Sequence, residues 1–198
     1  MGTVSNLLLT GARVMIAPTG EALPDETSVA YGASWGGSWV DVGFTQSPLR
    51  VSYSESQVGI SPQQALGNVK KFRVGETARA STTLGEVNGT NLVLLMPGAA
   101  SDVAAGSGQK GWTEYSVGGS LTVTEKAIGF EGFRMDAAGN QQPVRVFFWK
   151  VVLTLTGDIV FGRNEQMTLG MAIEALEDQG KTVGQRLMKV HIITAPAT

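Results

Sequence analysis

Hydrophobic and polar residues alternate with a period of two over much of this chain, the spacing that puts one face of a β-strand in a core and the other in water. Leu49 to Glu55 is the clearest case: Leu49, Val51 and Tyr53 point one way, Arg50, Ser52 and Ser54 the other, which predicts a half-buried strand. Arg13 to Ile16 is a short strand-like run closed by Pro18 and Gly20, and Ser38 to Phe44 is a second, entered through Gly36-Gly37. Further strands are predicted over Val69 to Ser81, Ser116 to Glu125 (with Val117, Leu121 and Val123 alternating), Ala127 to Met135, Met167 to Ile173 and Leu187 to Ile193. A turn is expected at Ala138-Gly139-Asn140, and a short tail follows from Thr194. Residues 17–34, 56–68 and 97–111 read as long loops. The last is small, polar and Gly-rich, and is expected to be mobile in a free subunit.

Val144 to Leu155 breaks the alternation. Its two faces, Val144, Val146, Phe148, Lys150, Val152 and Thr154 against Arg145, Phe147, Trp149, Val151, Leu153 and Leu155, are both largely apolar. Neither can sit in water along its whole length, so this strand needs a core on one side and a cover on the other, from the helix or from a neighbouring subunit. One helix is expected. Thr83-Leu84-Gly85-Glu86 has capping-box spacing, Leu84, Val87, Asn91 or Leu92, and Leu95 fall at helical intervals, and Pro97-Gly98 stops the run. Asn88-Gly89 is a competing hairpin signal inside it.

Composition sharpens the β reading. There are 26 glycines in 198 residues, nearly twice the usual share of about 7% and without a collagen period, as turn-rich β folds require. Charged residues are 16%, against about 25% in an average domain, so less of the surface is defended against association. The net charge of −2 offers no basic excess for holding nucleic acid. Cysteine is absent, which excludes disulfides and thiolate chemistry. The start has no basic n-region, and Leu7-Leu8-Leu9 is too short for a signal or membrane helix, so synthesis as a soluble cytosolic protein is expected.

Candidate chemistry is thin. His191 is the one histidine and reads as a surface or edge-strand residue, with no nucleophile elbow near it. Ala175 to Thr182 approximates a phosphate-binding loop, but Ala175 replaces the first Gly, another strand rather than a helix is predicted next, and Glu177 and Asp178 would repel phosphate. Gly106 to Gly111 lacks the Lys-Ser/Thr pair and reads as flexible loop. Enzymatic activity, cofactors and metals are therefore not expected, and a small-ligand β-barrel or enzyme is the distant alternative.

The order of these features resembles the tail tube, or major tail, proteins of long, flexible-tailed phages. Trp39-Val40-Asp41-Val42-Gly43-Phe44-Thr45 looks like that family's early Trp…Gly-x-Thr segment, and Leu49 to Glu55 like the strand after it. Val69 to Leu95 resembles the strand leading into its helix. Arg145 to Thr156 and Gln166 to Asp178 resemble its paired C-terminal strands. The resemblance covers residues 35–193. It implies a mainly β fold, an antiparallel β-sandwich or barrel flanked by one α-helix, in a single domain spanning residues 1–198. It implies a virion structural subunit, self-assembled into stacked homo-hexameric rings with long loops or arms bridging them. Its partners would be tape measure, terminator and baseplate or tip proteins. Double-stranded DNA would pass without specific binding, and no membrane is involved. Trp35, Trp39, Phe147 and Trp149 are the candidate assembly-interface residues. A tube subunit of a contractile injection system and a tail terminator are the related alternatives.

Overall fold

The strand-forming patterns condense into one large antiparallel sheet, seen in a computed structural model that describes residues 11–136 and 138–194. The Leu7–Leu9 run and the tail beyond Thr194 lie outside these residues. In chain order the elements are β1 (Arg13–Pro18), β2 (Val40–Asp41), β3 (Arg50–Ile60), β4 (Lys70–Leu84), α1 (Gly89–Leu95), β5 (Gly98–Val103), β6 (Trp112–Val117), β7 (Glu125–Met135), β8 (Gln141–Thr156), β9 (Leu169–Ala175) and β10 (Met188–Ile192). The sheet runs β2-β1-β7-β8-β9-β4-β3, with β10 also paired to β8, while β5 and β6 form a separate hairpin.

β8 organises the molecule. One edge pairs with β7, and the other is shared: β10 takes Val144–Phe148 and β9 takes Val151–Thr156. The sheet curls so that one face of β1, β4, β7, β8 and β9 meets in a common core, with Val14, Ile128, Phe148, Leu153, Met171 and Leu84 buried and Leu95 of α1 packed among them. The opposite face of β1, β7 and β8 carries a second cluster, Met15, Ala127 and Phe147 with Trp35 and Trp39. Around Arg145 to Phe148 both faces of β8 are thus covered, the second by residues 19–39 of the same chain, while beyond Val152 its outer face is open, with Thr154 exposed. The result is an antiparallel β-sandwich with one helix.

Several boundaries differ from the sequence expectation, each for a local reason. Ser38 to Phe44 contributes only the two residues of β2, because Gly43 turns the backbone into the left-handed region at φ 88°. The helix starts later than the capping box implies. β4 runs through Thr83 to Leu84, where Thr83 accepts from Ser47 Oγ at 3.0 Å and Glu86 accepts from the Phe44 N–H at 3.0 Å. The cap is instead Asn88, whose side chain accepts from the Asn91 N–H at 2.9 Å, so the supposed hairpin signal opens the helix.

The expected loop at 97–111 is partly a strand. β5 pairs residue for residue with β6, and the Tyr115 hydroxyl donates to the Met96 carbonyl, tying the hairpin to the end of α1. The strand expected over Ser116 to Glu125 stops at Val117, since Gly118 and Gly119 both take positive φ. The expected loop at 56–68 begins later, because β3 continues to Ile60. Finally, β3 is not half-buried: every residue of it is exposed. Its alternation is real, but among the described residues little covers the apolar face.

Candidate assembly surface

Two of the four aromatic residues singled out from the sequence lie in the 19–39 arm, and a row of charges beneath the arm shows why it adheres. Arg13, Glu131, Arg145 and His191 stand directly opposite one another across β1, β7, β8 and β10. Glu131 and Arg145 have fully buried side chains. Arg145 donates to Glu131 through Nε at 3.0 Å and Nη2 at 2.8 Å, and Arg13 donates to the same carboxylate at 2.7 Å. The arm supplies the remaining partners. Glu26 pairs with Arg145 and sits 2.6 Å from His191 Nδ1. The Val29 carbonyl accepts from Arg145 at 2.8 Å, and the Gly32 N–H donates to Glu131 at 3.1 Å.

Trp35 Nε1 also donates to Glu131, at 3.3 Å, and its ring packs 5.1 Å from Trp39 and 5.3 Å from Phe147. Trp35, Trp39 and Phe147 are 4%, 7% and 0% exposed, so their apolar surface is covered within the chain. Trp149 is half-buried and apart from them, donating to the Gln185 carbonyl at 2.8 Å with Lys181 over its ring at 4.2 Å. The structure brings the first three together and leaves the fourth at a loop. His191, expected at a surface or edge strand, lies on β10, which among the described strands pairs with β8 alone, and is held by Glu26 and Phe147.

The surface left open lies elsewhere. β3, β4, β9 and residues 151–156 of β8 form a four-stranded sheet. Its inner face (Ala78, Ala80, Ile173, Leu153) belongs to the main core. Its outer face is small and hydroxyl-rich. Ser52, Ser54, Ser81 and Thr154 are exposed, and Thr83, Ala172 and Gly170 are half-buried between them. The charges there are mostly paired: Arg79 lies 2.9 Å from Glu174, and Lys150 lies 2.8 Å from Glu125 at the margin. Both side edges are open among the described strands. β3 pairs with β4 alone, and β8 beyond Val152 pairs with β9 alone. Unpaired edges of this kind are templates for another strand.

A family model described as phage tail tube protein matches residues 5–197, nearly the whole chain. The chain belongs to the phage tail tube protein family. No curated protein matches it. Membership makes it a structural subunit of the virion tail that assembles with itself and with other tail proteins. Among its described residues no helix is long and apolar enough to cross a membrane.

In this tail tube protein the Ala175–Thr182 fragment leaves β9 as a turn. The Gly180 N–H, which a phosphate loop would aim at an anion, donates to Asp178 Oδ1 at 2.9 Å, and Lys181 lies over Trp149. The hydroxyl face escaped sequence reasoning for a simple reason. Ser52 and Ser54 read as the polar side of one strand and Thr83 as a helix cap, and only the register of β3, β4 and β9 assembles them with Ser81 into one surface.

Proposed function

We propose that the chain forms homo-hexameric rings in which the sheets β8-β9-β4-β3 of successive copies join edge to edge, and that stacked rings enclose a conduit for double-stranded DNA. The observation carrying this reading is the four-stranded sheet with one core face, one uncovered polar face and two open edges. Side-by-side pairing of β3 with the free edge of a neighbour's β8 removes both edges at once, and a closed ring leaves none.

Size is compatible with six copies. About 24 strands spaced about 4.8 Å apart and tilted about 40° enclose a barrel on the order of 48 Å across. With side chains of about 5 Å on each wall, the bore is on the order of 40 Å, ample for a duplex about 20 Å wide. Three copies would leave a bore of about 14 Å, too narrow. The hydroxyl face then lines the bore, and its Arg79–Glu174 and Lys150–Glu125 pairs offer DNA little net positive charge to hold. A wall dense in unpaired Lys and Arg would bind phosphate by counterion release and slow transit.

Negative-stain microscopy of purified protein should show six-fold rings or tubes. In the same samples Thr154→Cys should react with a bulky polyethylene-glycol maleimide in monomers and resist it in tubes. Tubes in which Thr154→Cys stays fully reactive would place this face outside the wall and defeat the reading.

A further inference from the structure

The β3–β4 hairpin continues beyond the wall just described. β9 pairs with β4 only from Arg79 to Leu84, so Lys70–Ala78 and its β3 partners project as a two-stranded arm on the order of 30 Å long. Midway, the register slips. Ser56 faces Gly75 but Gln57 faces Arg73, leaving Val74 as an extra residue in β4. One extra residue carries the rest of a strand to the other face of the sheet. Below the slip, Val51 and Tyr53 share the core-side face with Ala78 and Ala80. Above it, β3 keeps its alternation but its apolar residues move from odd to even positions, so that Val58 and Ile60 lie on the face of Ser52 and Ser54, and the bulge in β4 brings Phe72 across to pair with Val58. Arg73 crosses the other way and pairs with Glu55 and Glu76, each at 2.6 Å.

The arm tip therefore presents Val58, Ile60 and Phe72, each 46% to 53% exposed, on the face that lower down is hydroxyl-lined. An apolar continuation of a water-filled wall needs a cover. A second exposed apolar group lies at the far end of β4. Phe44 is held beside Leu84, its carbonyl accepting from the Gly85 N–H at 2.7 Å, and Val160 and Phe161 lie in the loop joining β8 to β9 at that same end. About 45 Å of extended chain separates the two groups, so they cannot meet within one copy. Their charges are complementary. The tip carries Lys70 and Lys71 with no acid from Val58 to Lys71, whereas the 157–168 loop has Asp158 and Glu165 against Arg163.

We propose that the Val58/Ile60/Phe72 tip docks on the Phe44/Val160/Phe161 end of a second copy, head to tail along the tube axis. Its axial placement rests on the ring reading above. Because the two surfaces differ, the contact is not self-limiting and propagates as long as copies are added.

The cysteine-free chain makes a clean test. Copies carrying Phe72→Cys are mixed with copies carrying Phe161→Cys, allowed to assemble, and oxidised. The expected product is a mixed disulfide dimer, with each variant alone remaining uncrosslinked. Phe72→Ser with Val58→Ser should leave rings intact and abolish tubes in electron micrographs. Tubes that form without the mixed crosslink, or Phe72→Cys homodimers in its place, would overturn the docking while leaving the ring reading intact. A mixed crosslink in a preparation without rings would uphold the docking and overturn the ring instead.

Discussion

Replacing Glu131 by Ala should cost more stability than any surface change, because one buried carboxylate anchors both the charge row and the arm. Its side chain is fully buried and accepts from Arg145 at 2.8 and 3.0 Å, Arg13 at 2.7 Å, the Gly32 N–H at 3.1 Å and Trp35 Nε1 at 3.3 Å. Arg13, itself partly exposed, keeps its existing pair with Asp41 at 2.9 Å. Arg145 has no such exposure: it stays buried with the more exposed Glu26 as its remaining counter-ion. Removing one partner of a buried pair costs about 3–5 kcal/mol. For a chain of this size that lowers Tm by on the order of 10 °C. Urea unfolding of the unassembled subunit measures the loss. Acrylamide quenching should also rise in Glu131→Ala, since Trp35 loses its hydrogen bond and the Trp35–Trp39 cluster loosens from Phe147. Glu131→Leu combined with Arg145→Leu should recover much of the stability, as hydrophobic replacement of a buried pair often does. A loss under about 1 kcal/mol in Glu131→Ala, with unchanged quenching, would refute the anchor.

Three further outcomes follow from local geometry. Gly129→Ala would set a Cβ 2.3 Å from the Trp35 ring, and the crowding should cost about 1–3 kcal/mol by urea unfolding; an unchanged midpoint would contradict the packing of the arm. The Asn140 and Ala138 N–H groups and the Gln142 side chain hold the Asp136 carboxyl down at about 2 from an ordinary 3.8. A depressed carboxylate stabilises the fold above pH ~4 and loses that contribution as the pH falls through about 2, so the stability gap between wild type and Asp136→Asn should shrink over that window and a constant gap would disprove the linkage. Wild-type tubes should bind duplex DNA no tighter than about 10⁻⁴ M at physiological salt, whereas Glu125→Lys with Glu174→Lys should give tighter, salt-sensitive binding; equal affinity would remove those pairs from the DNA path.

Elements with a local cause were legible in the amino-acid order. Alternation placed the ladders of β3, β4, β7 and β9, because side chains in a strand must alternate whatever surrounds them. The doubly apolar run of β8 announced that neither of its faces could stay in water along its whole length, and Ala138-Gly139-Asn140 announced its turn, with Gly139 at φ 85°. Periodicity says that two faces differ, but not what lies over either. It took the folded arrangement to show that β8 is covered by the 19–39 arm, that Trp35 and Trp39 belong to that cover, and that Glu131 and Arg145, fourteen residues apart in sequence, meet across paired strands. The helix start was ambiguous for a related reason. Thr83 and Asn88 are both competent caps, and the choice fell to Asn88 because β9 extends β4 through Leu84. The hydroxyl wall depends on the register of β4 against β9, strands distant in sequence, and the crossed-over tip on one extra residue in the β3–β4 hairpin, which alternation within either strand does not locate.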